Sequence, residues 1–193
     1  METQLEQARK EIITQEMKAI ALNEGLDQEL IRRHVASGEI VVSCHPKRPD
    51  QKIVGIGTGL RTKVNASIGT SSDICDIEME IRKARAAEEE GADTLMELSA
   101  GGDLDAVRRA VLASTNLPVG TVPLYQAFKE TTAKYANPGK LDPEYLFDLI
   151  EKQLDDGISF MAIHCGINRY TIERLRKQGY RYGGLVSKGG TFM

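Results

Sequence analysis

The residues best suited to chemistry are few and lie at the ends of apolar runs. His164 stands in Ala162-Ile163-His164-Cys165-Gly166, where an imidazole can donate to a ligand or carry a proton, although a hydrogen-bonded structural histidine fits the same place. Tyr125 follows Pro123-Leu124 and can offer its hydroxyl to a polar ligand. Ser187, Lys188 and Gly189 fall in Val186-Ser187-Lys188-Gly189-Gly190. Consecutive glycines there let backbone N–H groups converge on an anion while the lysine adds charge, yet an ordinary glycine turn needs no ligand. Gly55-Ile56-Gly57-Thr58-Gly59 looks like a phosphate cradle, but it precedes the first clear strand and opens no helix, so it reads as a flexible turn. Met96 lies within an apolar run, where core packing is the ordinary role. Glu97 and Asp103 are too isolated to act as a carboxylate pair, and Glu88-Glu89-Glu90 reads as a solvated helix end. Cys44, Cys75 and Cys165 are odd in number and widely spaced, which suits free thiols rather than disulfides, and no second Cys or His lies at ligand spacing from Cys165.

What must position these groups is a series of strands and helices. The stretch Asp93–Phe128 reads as a strand at Leu95–Leu98, a turn at Gly101-Gly102, a helix and a second strand at Val119–Leu124. Leu104, Val107, Ala110 and Val111 give the helix one apolar stripe. Two such strands joined by a covering helix demand a parallel pair and a right-handed crossover. Further copies flank it: a strand at Val64, Ala66 and Ile68, then a helix with Ile77, Ile81 and Ala84 inward. Asp142-Pro143 opens a helix carrying Leu146, Leu149, Ile150 and Leu154, and strands follow at Phe160–Ile163 and Leu185–Val186, with a short helix at Thr171–Gln178 between them. This β/α alternation predicts a parallel sheet, either doubly wound or part of an eight-stranded barrel, and both place their sites at strand exits. Ser67, Tyr125, His164 and Ser187 all fall at such exits.

Residues 1–52 read as an appended layer: short helices with Leu5, Ala8 and Ile12, then Met17, Ile20 and Ala21, then Leu30, Ile31 and Val35 behind an Asp27 cap. A short strand at Glu39–Ser43 and a linker from Cys44 to Lys52 complete it. Residues 53–193 are expected to form the first five strands of the barrel, with its C-terminal remainder absent. At 193 residues and 41% apolar composition the chain can bury a core, and a net charge of −3 without a basic stripe argues against a nucleic-acid surface. No apolar run of spanning length and no secretory signal is present, so a cytoplasmic protein without a membrane partner is expected.

Five motifs occur in order along the chain: Lys63-Val64-Asn65-Ala66-Ser67-Ile68-Gly69, Gly91–Ser99, Pro118–Ala127, Ile163-His164-Cys165-Gly166 and Val186–Gly190. Together they resemble phosphomethylpyrimidine synthase of thiamine biosynthesis over almost the whole length. The resemblance implies a (β/α)8 barrel and a radical S-adenosylmethionine carbon–carbon lyase with a 4Fe–4S cluster and a nearby zinc, homodimeric at full length. Its substrate would be 5-aminoimidazole ribotide, rearranged to 4-amino-5-hydroxymethyl-2-methylpyrimidine phosphate. Ser67, Met96, Tyr125 and His164 then match substrate-binding positions, and Ser187, Lys188 and Gly189 the phosphate side. The cluster cysteines and metal-binding histidines of that family match nothing in these residues, so no metal ligand is assigned here. The family usually carries asparagine at Ser67, arginine at Lys188, aspartate at Glu97 and threonine at Ala100. A hydroxyl in place of an amide loses reach, and lysine in place of arginine loses the planar fork. These departures point to the paralogue 5-hydroxybenzimidazole synthase, which makes a cobalamin lower-ligand precursor from the same ribotide, as the alternative. A non-catalytic partial barrel that binds a phosphorylated ligand is the second alternative.

Overall fold

In the computed structural model, which describes residues 2–184, the β/α alternation becomes a four-stranded parallel sheet. Three capped helices come first: α1 (Gln4–Arg9), α2 (Gln15–Glu24) and α3 (Gln28–Ser37), with Thr3, Thr14 and Asp27 accepting first-turn N–H bonds. Gly25 and Gly38 end α2 and α3 in the left-handed region. Strands β1 (Ile40–Ser43) and β2 (Val54–Gly57) then pair antiparallel, and Met17, Ile20, Ile31, Val35 and Ile40 form a core between the helices and this pair. The glycine run expected as a flexible turn is thus half strand. At Gly57, with φ 149°, an added Cβ would stand 2.0 Å from the Glu39 carbonyl oxygen, so glycine is required by close backbone approach rather than by a ligand.

The sheet itself consists of β3 (Asn65–Ile68), β4 (Thr94–Glu97), β5 (Val119–Thr121) and β6 (Phe160–Met161), paired in consecutive order. Helices α4 (Ile77–Glu89) and α5 (Leu104–Ser114) cover one face, where Ala84, Leu95, Val107, Val111, Val119 and Ile158 form the main core. The run expected as one strand from Val119 to Leu124 breaks at Val122, and Pro123 opens α6 (Pro123–Tyr135). Its locked φ and missing N–H suit the first helical position, which outweighs the apolar run around it. A 3-10 turn (Pro138–Lys140), α7 (Pro143–Asp156) and α8 (Arg169–Gln178) follow. No helix among the described residues is long and apolar enough to cross a membrane. The strand expected at Leu185–Val186 lies outside the described residues.

Polar contacts bridge the N-terminal edge of the sheet to the preceding layer, beside open cavities lined by Glu24, Lys63 and Asp93 and by Asn65, Thr94 and Phe160. The stretch expected as a linker, Cys44–Lys52, lies along this edge, and Arg48 donates to the carbonyls of Leu112 (3.3 Å), Thr115 (2.6 Å) and Leu117 (3.0 Å) at the end of α5. Ser159 donates to Gln51 (2.8 Å), just before β6. Glu88 is more than a solvated helix end: it accepts from the Thr115 hydroxyl (2.6 Å) and the Asn116 N–H (3.0 Å). Two ion pairs add to these contacts, Lys63 with Glu24 (2.8 Å, both side chains less than a tenth exposed) and Arg61 with Asp93. The opposite edge, where the parallel strands end, is where folds of this class ordinarily place their sites.

Candidate functional site

Parallel register decides which residues share a face. Ser67 lies beside Met96, Met96 beside Gly120, and Gly120 beside Phe160, so these four form one row across the sheet. Leu95 and Val119, one residue removed, face the helices. The row therefore occupies the face turned away from α4 and α5, because side chains alternate along a strand. Ser67 is exposed on it and Met96 is buried. The Phe160 ring lies across Gly120, where a Cβ would stand 2.2 Å from a ring carbon.

Tyr125 is not at a strand exit, as its apolar neighbours suggested, but in the first turn of α6. That turn sits directly after β5 and carries the phenol to the same edge. The imidazole of His164, three residues after β6, lies with its ring centroid 6.4 Å from that of Tyr125, the planes tilted by 31°. Both rings are half-buried. The structure thus brings Ser67 beside Met96 and Tyr125 beside His164. Ser187, Lys188 and Gly189 lie outside the described residues.

The loops after β3 and β4 are fastened to each other at this edge. The Thr70 N–H donates to the Ser99 hydroxyl (2.9 Å), and the Thr70 hydroxyl donates to the Gly101 carbonyl (2.7 Å). A Cβ on Gly101 would stand 1.8 Å from the Ser71 carbonyl oxygen, so the two loops touch through backbone. The edge is preorganised by such bonds before any ligand arrives. Glu97 points the other way, toward the helices, and accepts from the Ser99 N–H (2.7 Å). Burial pushes its carboxyl above the usual range, against the lowering effect of the Ser99 bonds.

Arg108 is what the sequence reading missed. It falls on the same α5 stripe as Leu104, Val111 and Leu112 and is almost wholly buried. An arginine at apolar spacing within a stripe was the available signal. Its guanidinium donates to Asp156 (2.6 and 2.9 Å), Asp105 (2.6 Å) and Gln126 (2.8 Å), which joins α5, α6 and α7.

The cysteines are dispersed: Cys44 follows β1, Cys75 donates its thiol to the Ser71 carbonyl (3.0 Å), and Cys165 is exposed after β6. Among the described residues no group of three or more His, Cys, Asp or Glu could hold a metal ion. The three thiols do not form a cluster's ligand set.

A parallel β/α sheet with polar and aromatic groups gathered at its C-terminal edge defines an α/β domain, a class whose sites ordinarily lie at that edge. The chain belongs to the Radical SAM ThiC family, whose model matches residues 3–193. It is 72% identical to the 5-hydroxybenzimidazole synthase of Desulforapulum autotrophicum over its whole length, which is 44% of that protein. It is 66% identical to the 5-hydroxybenzimidazole synthase of Geobacter sulfurreducens, with the same coverage. Phosphomethylpyrimidine synthase 1 of Methanothermobacter thermautotrophicus is 54% identical over 99% of the chain and 44% of that protein. The chain thus spans less than half the length of the curated relatives it matches.

Proposed function

We propose that the chain supplies the substrate-facing part of a radical S-adenosylmethionine enzyme converting 5-aminoimidazole ribotide into 5-hydroxybenzimidazole. The observation that carries the choice of product is identity: the relatives so named match at 64–72%, while the phosphomethylpyrimidine synthases match at 54–57%. The consecutive strand order supports a barrel, since a sheet that adds each strand beside the last can close on itself. In this reading the ribotide lies against the row of Ser67 and Met96, with Tyr125 and His164 as hydrogen-bonding groups and Ser187, Lys188 and Gly189 at its phosphate. The cluster that would cleave S-adenosylmethionine takes its thiolates from sequence outside these residues.

The test uses the intact protein containing this chain, under anaerobic reducing conditions with the ribotide and S-adenosylmethionine, and mass spectrometry of the product. 5-Hydroxybenzimidazole is the expected result. The pyrimidine phosphate in its place would move the assignment to thiamine synthesis, and neither product would sink the reading. Tyr125→Phe and His164→Asn should each weaken ribotide binding by about tenfold, the worth of roughly one hydrogen bond of 1–1.5 kcal/mol.

A further inference from the structure

Behind the Tyr125–His164 pair lies a buried polar frame that helix packing alone does not require. Arg108 is 1% exposed. Taking such a charge out of water costs on the order of several kcal/mol, and well-packed apolar side chains often join helices at less cost. What the guanidinium adds is direction, because its rigid fork fixes several acceptors at once. Nε and Nη2 hold Asp156 on α7, Nη2 also holds Asp105 on its own helix, and Nη1 holds the Gln126 carbonyl oxygen at 2.8 Å. Gln126 is gripped from other sides as well. Its amide donates to Asp105 (2.9 Å) and Glu130 (2.9 Å), and its oxygen accepts from Gln153 (3.0 Å), which in turn accepts from Thr121 on β5 (2.7 Å).

This grip reaches the opening turns of α6, where Pro123, Gln126 and Ala127 are buried. Its N-cap, Val122, makes no side-chain cap bond. Without a side-chain cap, its buried residues help to fix the rotation of the first turn, and Gln126 is buried there next to Tyr125 in the chain. A cavity of about 10 Å³ is lined by Glu97, Ser99, Arg108, Tyr125 and Gln126 among others. It has room for about one water, so Arg108 and Tyr125 border one small space.

We propose that Arg108 is a positioning residue that acts through Gln126 to set the rotation of the first turn of α6, and so the aim of Tyr125 toward His164 and the ligand edge. The guanidinium does not touch the ligand in this arrangement. Only the second of the two readouts below rests on the ribotide reading.

The experiment uses the intact protein with ring-13C-labelled tyrosine, in which the Tyr125 resonance is found by its loss in Tyr125→Phe. Arg108→Lys keeps the charge and loses the fork; Arg108→Met with Asp156→Asn removes both charges of the pair together. In each, the Tyr125 resonance should shift or broaden while those of Tyr170 on α8 and Tyr182 stay put. Arg108→Lys should also weaken binding of 5-aminoimidazole ribotide about tenfold with Tyr125 present, and less than about twofold in a Tyr125→Phe background. An unmoved Tyr125 resonance in a folded variant overturns the proposal, as does an equal affinity loss in both backgrounds. If none of the variants folds, Arg108 is purely structural and the proposal falls. A wild-type protein that binds no ribotide refutes the functional reading instead, and the resonance alone then decides this one.

Discussion

Glu97 and Asp105 are carboxylates of one neighbourhood whose protonation is pushed in opposite directions. Burial raises Glu97, and the Ser99 bonds only partly offset it. Its folded pKa therefore lies above the unfolded value of about 4.3, so the ionised form burdens the folded state at neutral pH. That burden fades as pH falls below the folded pKa and is gone below about 4.3. Glu97→Gln should accordingly raise the melting temperature at pH 7 by a few degrees, about 2–4 °C for each kcal/mol relieved, and the gap should close near pH 4. Melts followed by circular dichroism across pH would show it, and equal melting temperatures at pH 7 would refute it. For Asp105, burial alone would raise the carboxyl, but bonds from Lys152, Gln126 and Arg108 outweigh it and hold it well below the usual range. Its contribution is present above about pH 3.9 and lost as pH falls through the folded value. Asp105→Asn should destabilise the protein at pH 7 and progressively less in acid, read by the same melts.

At the scale of elements, the row across the sheet depends on β5 having no side chain at position 120. Gly120 lets the Phe160 ring lie against the strand, where a Cβ would meet three ring carbons at 2.2–2.6 Å. Gly120→Ala should cost roughly 1–3 kcal/mol by overpacking, measured by urea unfolding. Phe160→Leu alone should cost less than that, and adding it to Gly120→Ala should recover part of the loss. Purely additive losses would mean that ring and glycine do not oppose each other as the register places them.

For the molecule as a whole, the buried pair Lys63–Glu24 fastens the N-terminal helices to the sheet, with the Arg61 N–H adding a bond to Glu24 (2.8 Å). Each side chain is less than a tenth exposed, so removing one leaves the other charge uncompensated. Lys63→Met should cost about 3–5 kcal/mol, while Lys63→Met with Glu24→Leu should come back close to the parent, because a buried pair and an apolar replacement are often near neutral. A single mutant as stable as the parent would contradict the burial seen here. Arg61 and Asp93 reinforce the junction: the guanidinium bonds, chiefly, hold Asp93 below the usual range, so this link also weakens in acid.

Much of this was legible from sequence, because the signals act over a few residues. Apolar spacing placed β3, β4, α4, α5 and α7; Asp27 and Asp142 marked helix starts; and ordered motifs gave the family. Local chemistry also misled where two local signals competed. Val119–Leu124 looked like one strand, yet Pro123 at a helix start won, and Tyr125 moved from a strand end to a helix turn. Other features needed the third dimension. That Ser67 and Met96 share a row depends on register between strands 29 residues apart, and that Tyr125 meets His164 depends on two connections folding back to one edge. Arg108 reads locally as one more helix former; only with α6 and α7 packed around it do Gln126 and Asp156, 18 and 48 residues away, become its partners. Periodicity and caps are properties of a few consecutive residues and survive in the sequence. Which remote charges and rings come to face one another is decided by packing, which no short stretch contains.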